Sequence, residues 1–431
     1  MPRRAKSPFL VNFVFHYKNK ITMSKSTNFT GQPIFGQLIN FLDRSSISKI
    51  SRKNGADRYT KKFTTYKHLI VMMFVTLNGY QSIRETIIGL LANAHKLGHL
   101  GLNYVVRRST FSDANKRRPS EVFGQIYMDM YCKYASSLSD SRLSKQDLKR
   151  LYIMDSTTIT LFKEILKGVG RNPKEGKRKG GIKAHTVIKA DENVPCLIRF
   201  SASARHDHTL LSEVNLPKGS IITFDKAYVD YARYQEFSES EIWYVTRLKI
   251  NALYTAREEY DIPDEADPGV LKDEIIELQY GKNKEKVHKA RRIAYWDDTN
   301  SRLFEFQTNN LKLPAETIAL IYKKRWQIET LFKQLKQNFP LKYFLGDNVN
   351  AIEIQIWAAM LANLLISLVK SKIKHNWAFS NMVSIIRQQL MDYINIYRFL
   401  EDPEKAWRSI INENDLKYQN TLFPEVRGAY Y

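Results

Sequence analysis

The first third of the chain repeats apolar residues at helical spacing. Three segments show this period, with apolar residues three or four positions apart and with Gly, Asn or Pro between the segments. They are FTTYKHLIVMMFVTLNG (63–79), SIRETIIGLLANAHKLG (82–98) and SEVFGQIYMDMYCKYASSL (120–138). We therefore predict that residues 31–140 form a helical region.

From residue 148 the pattern changes to short apolar and β-branched runs, which are typical of strands. Three such runs come first, and strands then alternate with helices. The three runs are RLYIMDSTTITLF (150–162), GIKAHTVIKA (181–190) and PCLIRFSASA (195–204). A meander followed by strand–helix alternation predicts a mixed α/β sheet. Residues 250–312 break the alternation and predict a mostly β insertion.

A strongly amphipathic helix is predicted from about Pro314, a residue type favoured at helix starts, to Asn338. At about 100° per residue, four polar residues of this helix fall within a stripe roughly 60° wide. They are Tyr322, Arg325, Glu329 and Lys336, and Trp326 and Lys333 lie beside them. The opposite side is apolar and predicts contact with the core. The polar stripe is therefore expected to carry chemistry.

Charge indicates the kind of partner. The 431 residues include 67 Lys and Arg against 44 Asp and Glu, a formal net charge of +23. On a globular chain such an excess favours a polyanion, most often nucleic acid, and simple solubility is the alternative. The two cysteines, Cys132 and Cys196, predict neither a disulfide framework nor a cysteine zinc site. A reducing cytosol fits.

Two basic segments are candidates for DNA contact. The first surrounds a short helix that Ser109 is predicted to cap, and the second is a glycine-containing loop after the first predicted strand. The candidate residues are Arg107, Arg108, Lys116, Arg117 and Arg118 in the first segment and Lys177, Arg178 and Lys179 in the second. For both segments a merely solvated basic surface is the alternative.

Three acidic residues are candidate catalytic groups and metal ligands. Asp155 ends the apolar half of one predicted strand and Asp225 ends another, which would place both at the rim of the sheet. Glu329 comes from the amphipathic helix. Because three converging carboxylates repel one another, the trio predicts bound cations, and Mg²⁺ prefers such oxygen ligands. Asp155 would bridge two ions about 4 Å apart, with Asp225 and Glu329 each holding one.

The sequence then shows a family resemblance. The spacing Y-(2)-R-(3)-E-(6)-K, with the DST run at Asp155 and the DKAY run at Asp225, resembles bacterial insertion-sequence transposases of the DDE type, in the insertion-sequence-four family. The resemblance covers about residues 30–375. It implies an RNase H-like catalytic core and cut-and-paste movement of the element. It also implies two Mg²⁺ ions, for which Mn²⁺ would substitute. An RNase H-like endonuclease without joining activity and a catalytically dead DNA-binding repressor are the alternatives.

The resemblance also implies roles for the polar stripe. Arg325 and Lys336 would hold phosphates on either side of the scissile bond, Lys333 would add a DNA contact, and Tyr322 would donate to a phosphate oxygen. Trp326 would stack on a base swung out of the duplex while the end is cut through a hairpin intermediate. The implied partners are transposon ends and target DNA, with two protomers paired through their C-terminal helices.

Several boundaries follow from these patterns. We expect an unfolded extension, a helical DNA-binding domain, an RNase H-like catalytic domain that contains the β insertion, and a C-terminal helical region. Their predicted ranges are 1–22, 23–145, 146–345 and 346–431. The apolar run Ile356–Val369 is shorter than the ~20 residues that a bilayer needs, and it predicts a buried helix. A cytoplasmic protein associated with the nucleoid is expected.

Overall fold

A computed structural model describes residues 31–139, 146–160, 181–202, 211–281 and 283–404. The basic candidates Lys177, Arg178 and Lys179 lie outside these residues. The N-terminal part is helical, as predicted. Its elements are α1 (Ile34–Ile39), α2 (Arg44–Lys53), α3 (Thr65–Asn78), α4 (Ile83–Ala92), a 3₁₀ helix (Ala94–Leu100), α5 (Arg108–Arg117), α6 (Ser120–Leu138) and α7 (Gln146–Lys149).

Strands follow, with one helix among them, and helices end the described part. The strands and their helix are β1 (Leu151–Thr160), β2 (Gly181–Lys189), β3 (Pro195–Ala202), β4 (Ile221–Phe224), α8 (Tyr231–Glu239), β5 (Trp243–Arg247), β6 (Tyr254–Glu259), β7 (Val270–Tyr280), β8 (Lys286–Asp297) and β9 (Arg302–Thr308). The last helices are α9 (Ala315–Lys323), α10 (Trp326–Asn338), α11 (Val349–Lys370), α12 (Phe379–Gln388) and α13 (Ile396–Glu401). A mixed α/β protein with helical flanks is therefore confirmed.

All the described strands join one sheet in the order β3-β2-β1-β4-β5-β9-β8-β7-β6. Strand β1 runs parallel to β4, and β4 runs parallel to β5, while β2 is antiparallel to both β1 and β3. The strands of the 250–312 stretch continue this sheet, because β9 pairs antiparallel with β5. The sheet edge where the parallel strands end is thus built by residues far apart in the chain.

The helix α11 forms the centre of the helical core. It packs against α3, α5, α6 and α10, and a Cβ at Gly124 of α6 would stand 2.8 Å from the indole ring of Trp357. By length and composition α11 could cross a membrane, but 89% of its most apolar window is buried inside the described fold. The prediction of a buried helix is confirmed. Since α11 is covered by its own chain, it offers little surface to a second protomer, and the expected pairing through the C-terminal helices stays a prediction.

The start of α5 differs from the prediction. Ser109 does not cap this helix, since the Phe111 backbone N–H already donates to the Arg107 carbonyl at 3.0 Å. Arg107 is therefore the N-cap residue, and it makes no side-chain capping hydrogen bond. Phe111 is fully buried, and this contact with the core sets where the helix begins. Ser109 lies inside the first turn.

Arg118 is buried, so its prediction as a DNA contact is wrong. Its guanidinium donates to the carboxylate of Asp57 at 3.1 Å, the carbonyl of Phe63 at 2.8 Å and the carbonyl of Ala56 at 3.4 Å. A further guanidinium nitrogen lies 2.9 Å from Nδ1 of His68. The guanidinium thus satisfies carbonyls of the loop that joins α2 to α3, and it fixes this loop against the end of α5.

We predict that Arg118→Ala lowers the free energy of unfolding by about 3–5 kcal/mol, because it leaves buried carbonyls and Asp57 without their cation. Urea denaturation of the full chain measures this change. Arg117→Ala is the matched control, since Arg117 is the exposed neighbour of Arg118, and it should leave stability unchanged. Equal stability of the two variants would contradict a structural role for Arg118.

Candidate active site

Strand register brings the two aspartates together. Strands β1 and β4 pair in parallel, with Met154 opposite Phe224. Asp155 comes directly after Met154 and Asp225 directly after Phe224, so the two aspartates are neighbours across the strands. Strand β4 ends at this point, whereas β1 continues beside β2. Asp155 therefore lies level with the end of its shorter neighbour, at the carboxyl edge of the parallel strands.

Glu329 reaches the same edge from α10. This helix packs on β1, with Ile328 and Leu331 buried. An open cleft of about 490 Å³ lies between β1 and α10 and is lined by residues of both elements. Its lining residues are Asp155, Ser156, Thr157, Glu329, Phe332, Lys333, Lys336 and Gln337. Asp225 directly follows β4 and is not among these lining residues.

The predicted continuous helix over 314–338 is wrong, because α9 and α10 are separated by a tight turn. In this turn the Arg325 N–H donates to the Tyr322 carbonyl, three residues back, at 3.0 Å. Bonds of this kind wind the backbone more tightly than an α-helix does. Side chains before and after the turn consequently do not share one uniform stripe, and its members have different surroundings.

Arg325 occupies the space between two of the acids. Its Nη1 lies 3.1 Å from Oδ2 of Asp155, and its Nη2 lies 2.7 Å from Oε1 of Glu329. The residue is only 7% exposed. A guanidinium between two carboxylates offsets part of their mutual repulsion. While these ion pairs hold, the predicted phosphate contact of Arg325 is not available.

Arg247 belongs to the site and was missed from the sequence. Strand β5 runs parallel to β4 with Val245 opposite Thr223, which sets Arg247 level with Asp225. Its Nη2 lies 3.2 Å from Oδ2 of Asp225. The available signal was a cation at the end of a strand, but its meaning depends on which strands pair. That pairing is not written in the local sequence.

Tyr322 lies between the two arginines instead of facing the surface. It is 6% exposed, and its ring centroid lies 5.8 Å from Cζ of Arg247 and 5.7 Å from Cζ of Arg325. The ring also contacts Phe306 of β9, at 5.1 Å between centroids. Its burial contradicts the predicted bond from Tyr322 to a DNA phosphate. The ring instead stabilises two guanidinium groups that pair with the acids.

The outward members of the former stripe are Trp326, Lys333 and Lys336. Trp326 is 61% exposed, and Cζ of Arg325 lies 5.4 Å from its ring centroid. Both lysines are exposed and line the cleft beside Glu329. These three side chains are therefore positioned to meet a polyanion that enters the cleft.

Of the candidates around α5, four remain exposed. They are Arg107, Arg108, Lys116 and Arg117. The fifth, Arg118, is turned inward as described above. The exposed four lie at the two ends of α5, so they can contact a partner of the helical region.

Asp155 is both partly buried and close to two other carboxylates. Burial raises the pKa of Asp155 to about 6, and the charges of Asp225 and Glu329 act in the same direction. The Ser156 backbone N–H, 2.7 Å from Oδ1, and the Arg325 guanidinium act in the opposite direction without cancelling the shift. The arginines therefore leave the acids only partly neutralised.

The trio fits a divalent metal in donor type and in charge. Asp155, Asp225 and Glu329 all offer the hard carboxylate oxygens that Mg²⁺ prefers, and a dication would relieve the excess charge around Asp155. Within the described ranges, no three His, Cys, Asp or Glu side chains are close enough to enclose an ion. Guanidinium groups are the cations that the structure places among these acids.

Carboxylates at the edge of a mixed sheet, beside exposed lysines, are an arrangement that can hold a divalent metal next to a phosphodiester. The family described as "Transposase DDE domain" matches residues 146–365, which is more than half of the chain and includes all three acids. This chain belongs to that family. A domain of unknown function matches residues 30–103.

Individual proteins that resemble this chain are also named as transposases. The y4zB protein of Sinorhizobium fredii, which is named as a transposase, is 30% identical over 256 residues, covering 59% of this chain and 69% of that protein. A protein of Geobacillus stearothermophilus, named as a transposase for insertion sequence element IS5377, is 26% identical over 65% of this chain and 72% of its own length. The resemblance to bacterial insertion-sequence transposases is thereby confirmed, and the protein is an enzyme that acts on DNA.

One solved transposase structure is loosely similar over most of the chain. It is titled as a cryo-EM structure of the piggyBac transposase synaptic complex with hairpin DNA. It aligns with a TM-score of 0.39 and 11% identity, over 89% of this chain and 85% of that chain. Similarity of this degree between two folds is loose.

We predict that Asp155→Asn raises the melting temperature of the metal-free protein near pH 7.5. The folded-state pKa of about 6 lies above the ordinary value of 3.8, so the folded protein binds more protons between these values. Stability therefore falls as pH rises through this range, and the loss is complete above it. Asn removes the unfavourable charge.

Differential scanning calorimetry in EDTA measures this effect. The gain from Asp155→Asn should shrink as the pH is lowered from about 7.5 to about 5. Glu239→Gln, at an exposed position of α8, is the control and should show no such dependence. A variant that melts below the wild type at neutral pH would contradict the charge excess.

Proposed function

We propose that this transposase moves its insertion sequence by cut-and-paste transposition through a DNA hairpin, with Asp155, Asp225 and Glu329 as its catalytic acids. The observation that supports the proposal is that Arg325 bridges Asp155 and Glu329, while the parallel pairing of β1 with β4 sets Asp225 beside Asp155. Strands β1 and β4 supply two of the acids and α10 supplies the third. Burial raises the pKa of Asp155 to about 6, and the nearby charges of Asp225 and Glu329 act in the same direction, which supports the proposal further.

We assign the catalytic core to the RNase H-like class. The strand order β3-β2-β1-β4-β5 supports this assignment, because an antiparallel meander precedes two strands that run parallel to its first strand. Helix α8 connects the parallel strands β4 and β5. The family resemblance in the motifs around the three acids points to the same core.

Divalent metal, proposed here as two Mg²⁺ ions, would be held by Asp155, Asp225 and Glu329, and it would supply an activated oxygen nucleophile and charge stabilisation at phosphorus. Arg247 holds the Asp225 carboxylate at its strand end, and Arg325 holds the other two acids. Because both arginines contact the same Tyr322 ring, the carboxylates are positioned by one connected group of side chains.

Two lysines of α10 are proposed to position the DNA backbone. Lys333 and Lys336 are exposed and lie on the lining of the cleft that also holds Asp155 and Glu329. A phosphodiester that approaches the acids would meet these cations first. They would bind the phosphates that flank the scissile bond and offset the repulsion between DNA and carboxylates.

Each chemical step is an in-line displacement at phosphorus, so the same acids can serve all of them. In the first step a water oxygen bonds to phosphorus and the P–O3′ bond breaks, which leaves a 3′-hydroxyl on the element. That hydroxyl then attacks the opposite strand, closing a hairpin and releasing the flanking DNA. Water opens the hairpin, and the regenerated 3′-hydroxyl attacks target DNA.

Trp326 is proposed to stabilise the base that a tight hairpin forces out of the duplex. An indole that is 61% exposed beside a catalytic acid has no role in the core. The Arg325 guanidinium, 5.4 Å from the ring centroid, lies against this indole and limits its movement. A base stacked on such a platform recovers about 1–3 kcal/mol of the stacking that it loses in the duplex.

The proposed partners are the two transposon ends and target DNA, brought together by a homodimer. The two protomers would each hold one end, so that both ends are cut and joined in one complex. Helix α11 is buried in its own chain, so the contact between protomers is assigned to other surfaces. The protein would act on the nucleoid in the cytoplasm.

We predict that Asp155→Asn, Asp225→Asn and Glu329→Gln each abolish DNA cleavage while leaving DNA affinity equal or higher. The reason is that each change removes a proposed metal ligand and also a negative charge that repels phosphate. A supercoiled plasmid carrying the element and its flanks reports cleavage, and an electrophoretic mobility shift reports binding.

Glu239→Gln changes one exposed carboxylate of α8 and is expected to cut at the wild-type rate. Pre-cleaved ends with free 3′-hydroxyl groups, mixed with target plasmid, separate joining from cutting. Cleavage by any of the three variants at the wild-type rate would refute the assignment of that acid. Cleavage without joining by the wild type would replace the transposase proposal with an endonuclease.

A further inference from the structure

Outside the catalytic cleft, the helical region carries a second basic surface. We call it the loop surface, and it consists of the C-terminal end of α2, the loop that follows it, and the C-terminal end of α5. All of its cations are exposed. They are Arg52, Lys53, Arg58, Lys61, Lys62, Lys116 and Arg117. Of these cations only Lys116 and Arg117 were candidates taken from the sequence.

One buried side chain joins the two parts of the loop surface. Arg118 follows the last residue of α5, and its guanidinium donates to the Ala56 and Phe63 carbonyls on both sides of Arg58, Lys61 and Lys62. Edge-on packing of Phe63 against Phe111 of α5, with centroids 6.3 Å apart, adds a second contact. The loop cations are therefore held beside the end of α5.

The acid nearest in sequence to these cations is turned inward. Asp57 accepts hydrogen bonds from the Ser51 hydroxyl at 2.6 Å, from the Thr65 backbone N–H at 2.7 Å and from Arg118 at 3.1 Å. This carboxylate, which is 26% exposed, is therefore already engaged by three partners that do not belong to the loop surface. Within the described part of the chain, no ion pair joins a carboxylate to any cation of the loop surface. Cations therefore predominate on this surface, although Asp113 of α5 is an exposed acid one turn before Lys116.

Tyr59 lies among these cations with an unfavourable backbone conformation. Its backbone φ is 61°, a left-handed value that disfavours residues with a Cβ by roughly 1–2 kcal/mol. The side chain is 88% exposed, so packing does not offset that strain. Its only ring neighbour among the described residues is the Arg58 guanidinium, with Cζ 5.1 Å from the ring centroid. A strained and exposed aromatic is a pointer to function.

We propose that the loop surface binds the sugar–phosphate backbone of duplex DNA, with Arg58 and Tyr59 as its central contacts. Exposed cations without paired acids release counterions from DNA when they bind, and Tyr hydroxyls commonly donate to phosphates. A lipid surface would call for apolar side chains among the cations, whereas Tyr59 is the one large exposed apolar residue between Arg52 and Lys62. The inference rests on the proposed function only in taking DNA as the substrate.

The test compares two triple variants of the full chain that lose the same charge. The first is R58Q/K61Q/K62Q, and the control is K149Q/K218Q/K374Q, which changes exposed lysines elsewhere. Fluorescence anisotropy with a labelled random-sequence duplex, in EDTA and at several NaCl concentrations, gives Kd and its salt dependence. We expect at least a roughly tenfold higher Kd and a salt slope smaller by about 2 to 3 for the first variant, with little change for the control.

Tyr59→Gly separates a binding role from a structural one. Glycine adopts positive φ without strain, so the variant should melt at the same or a higher temperature while its Kd for the duplex rises. If Tyr59→Gly bound the duplex with the same Kd as the wild type, Tyr59 would not be a DNA contact. Equal Kd and equal salt slope for the two triple variants would overturn the loop surface as a DNA site.

Cleavage distinguishes this inference from the proposed function. Binding in EDTA does not require the acids to act, so its outcome is independent of catalysis. The control K149Q/K218Q/K374Q, in which both the catalytic acids and the loop surface are intact, should cut the plasmid at close to the wild-type rate. If the wild type binds through the loop surface but never cuts, the proposed function fails while this inference stands.

Discussion

Asp155, Asp225 and Glu329 bring three negative charges to one sheet edge, and the fold must hold them there against their mutual repulsion. Parallel pairing of β1 with β4 fixes the first two, and packing of α10 on β1 fixes the third. Two guanidinium groups offset part of the charge. Burial, together with the charges of Asp225 and Glu329, still raises the pKa of Asp155 to about 6, so the arginines do not fully stabilise its ionised form. A site with this remaining charge favours a dication, which is the condition that the proposed chemistry needs.

The two arginines also explain why the signature residues do not all serve one purpose. The tight turn between α9 and α10 sends Arg325 and Tyr322 inward, so they support the acids, whereas Lys333 and Lys336 remain free to meet DNA. The N-terminal helical region shows the same division between inward and outward cations. The buried Arg118 donates hydrogen bonds to loop carbonyls, whereas its neighbours Lys116 and Arg117 are exposed to solvent. In both places an inward cation organises the backbone that carries the outward ones.

Sequence patterns predict the parts of this structure that depend on local spacing. Helical periods in the first third, a mixed sheet after residue 148 and a buried helix near Ile356 are such parts, because a few neighbouring residues decide them. Arg247 was not predicted as a site residue because its role arises from the pairing of β4 with β5. Arg118 was misread because an exposed and a buried arginine look alike until the loop partner is known. The helix break was missed because Lys324 and Arg325 are good helix formers, and tertiary contacts overrode that preference.

The central claim is that the three acids share divalent metal. Diffraction from crystals grown with Mn²⁺, recorded at the manganese absorption edge, tests it most directly. The account predicts anomalous density bonded to the carboxylate of Asp155 and to at least one of Asp225 and Glu329. Density confined to other parts of the molecule, or none at a Mn²⁺ concentration that supports DNA cleavage, would contradict the account.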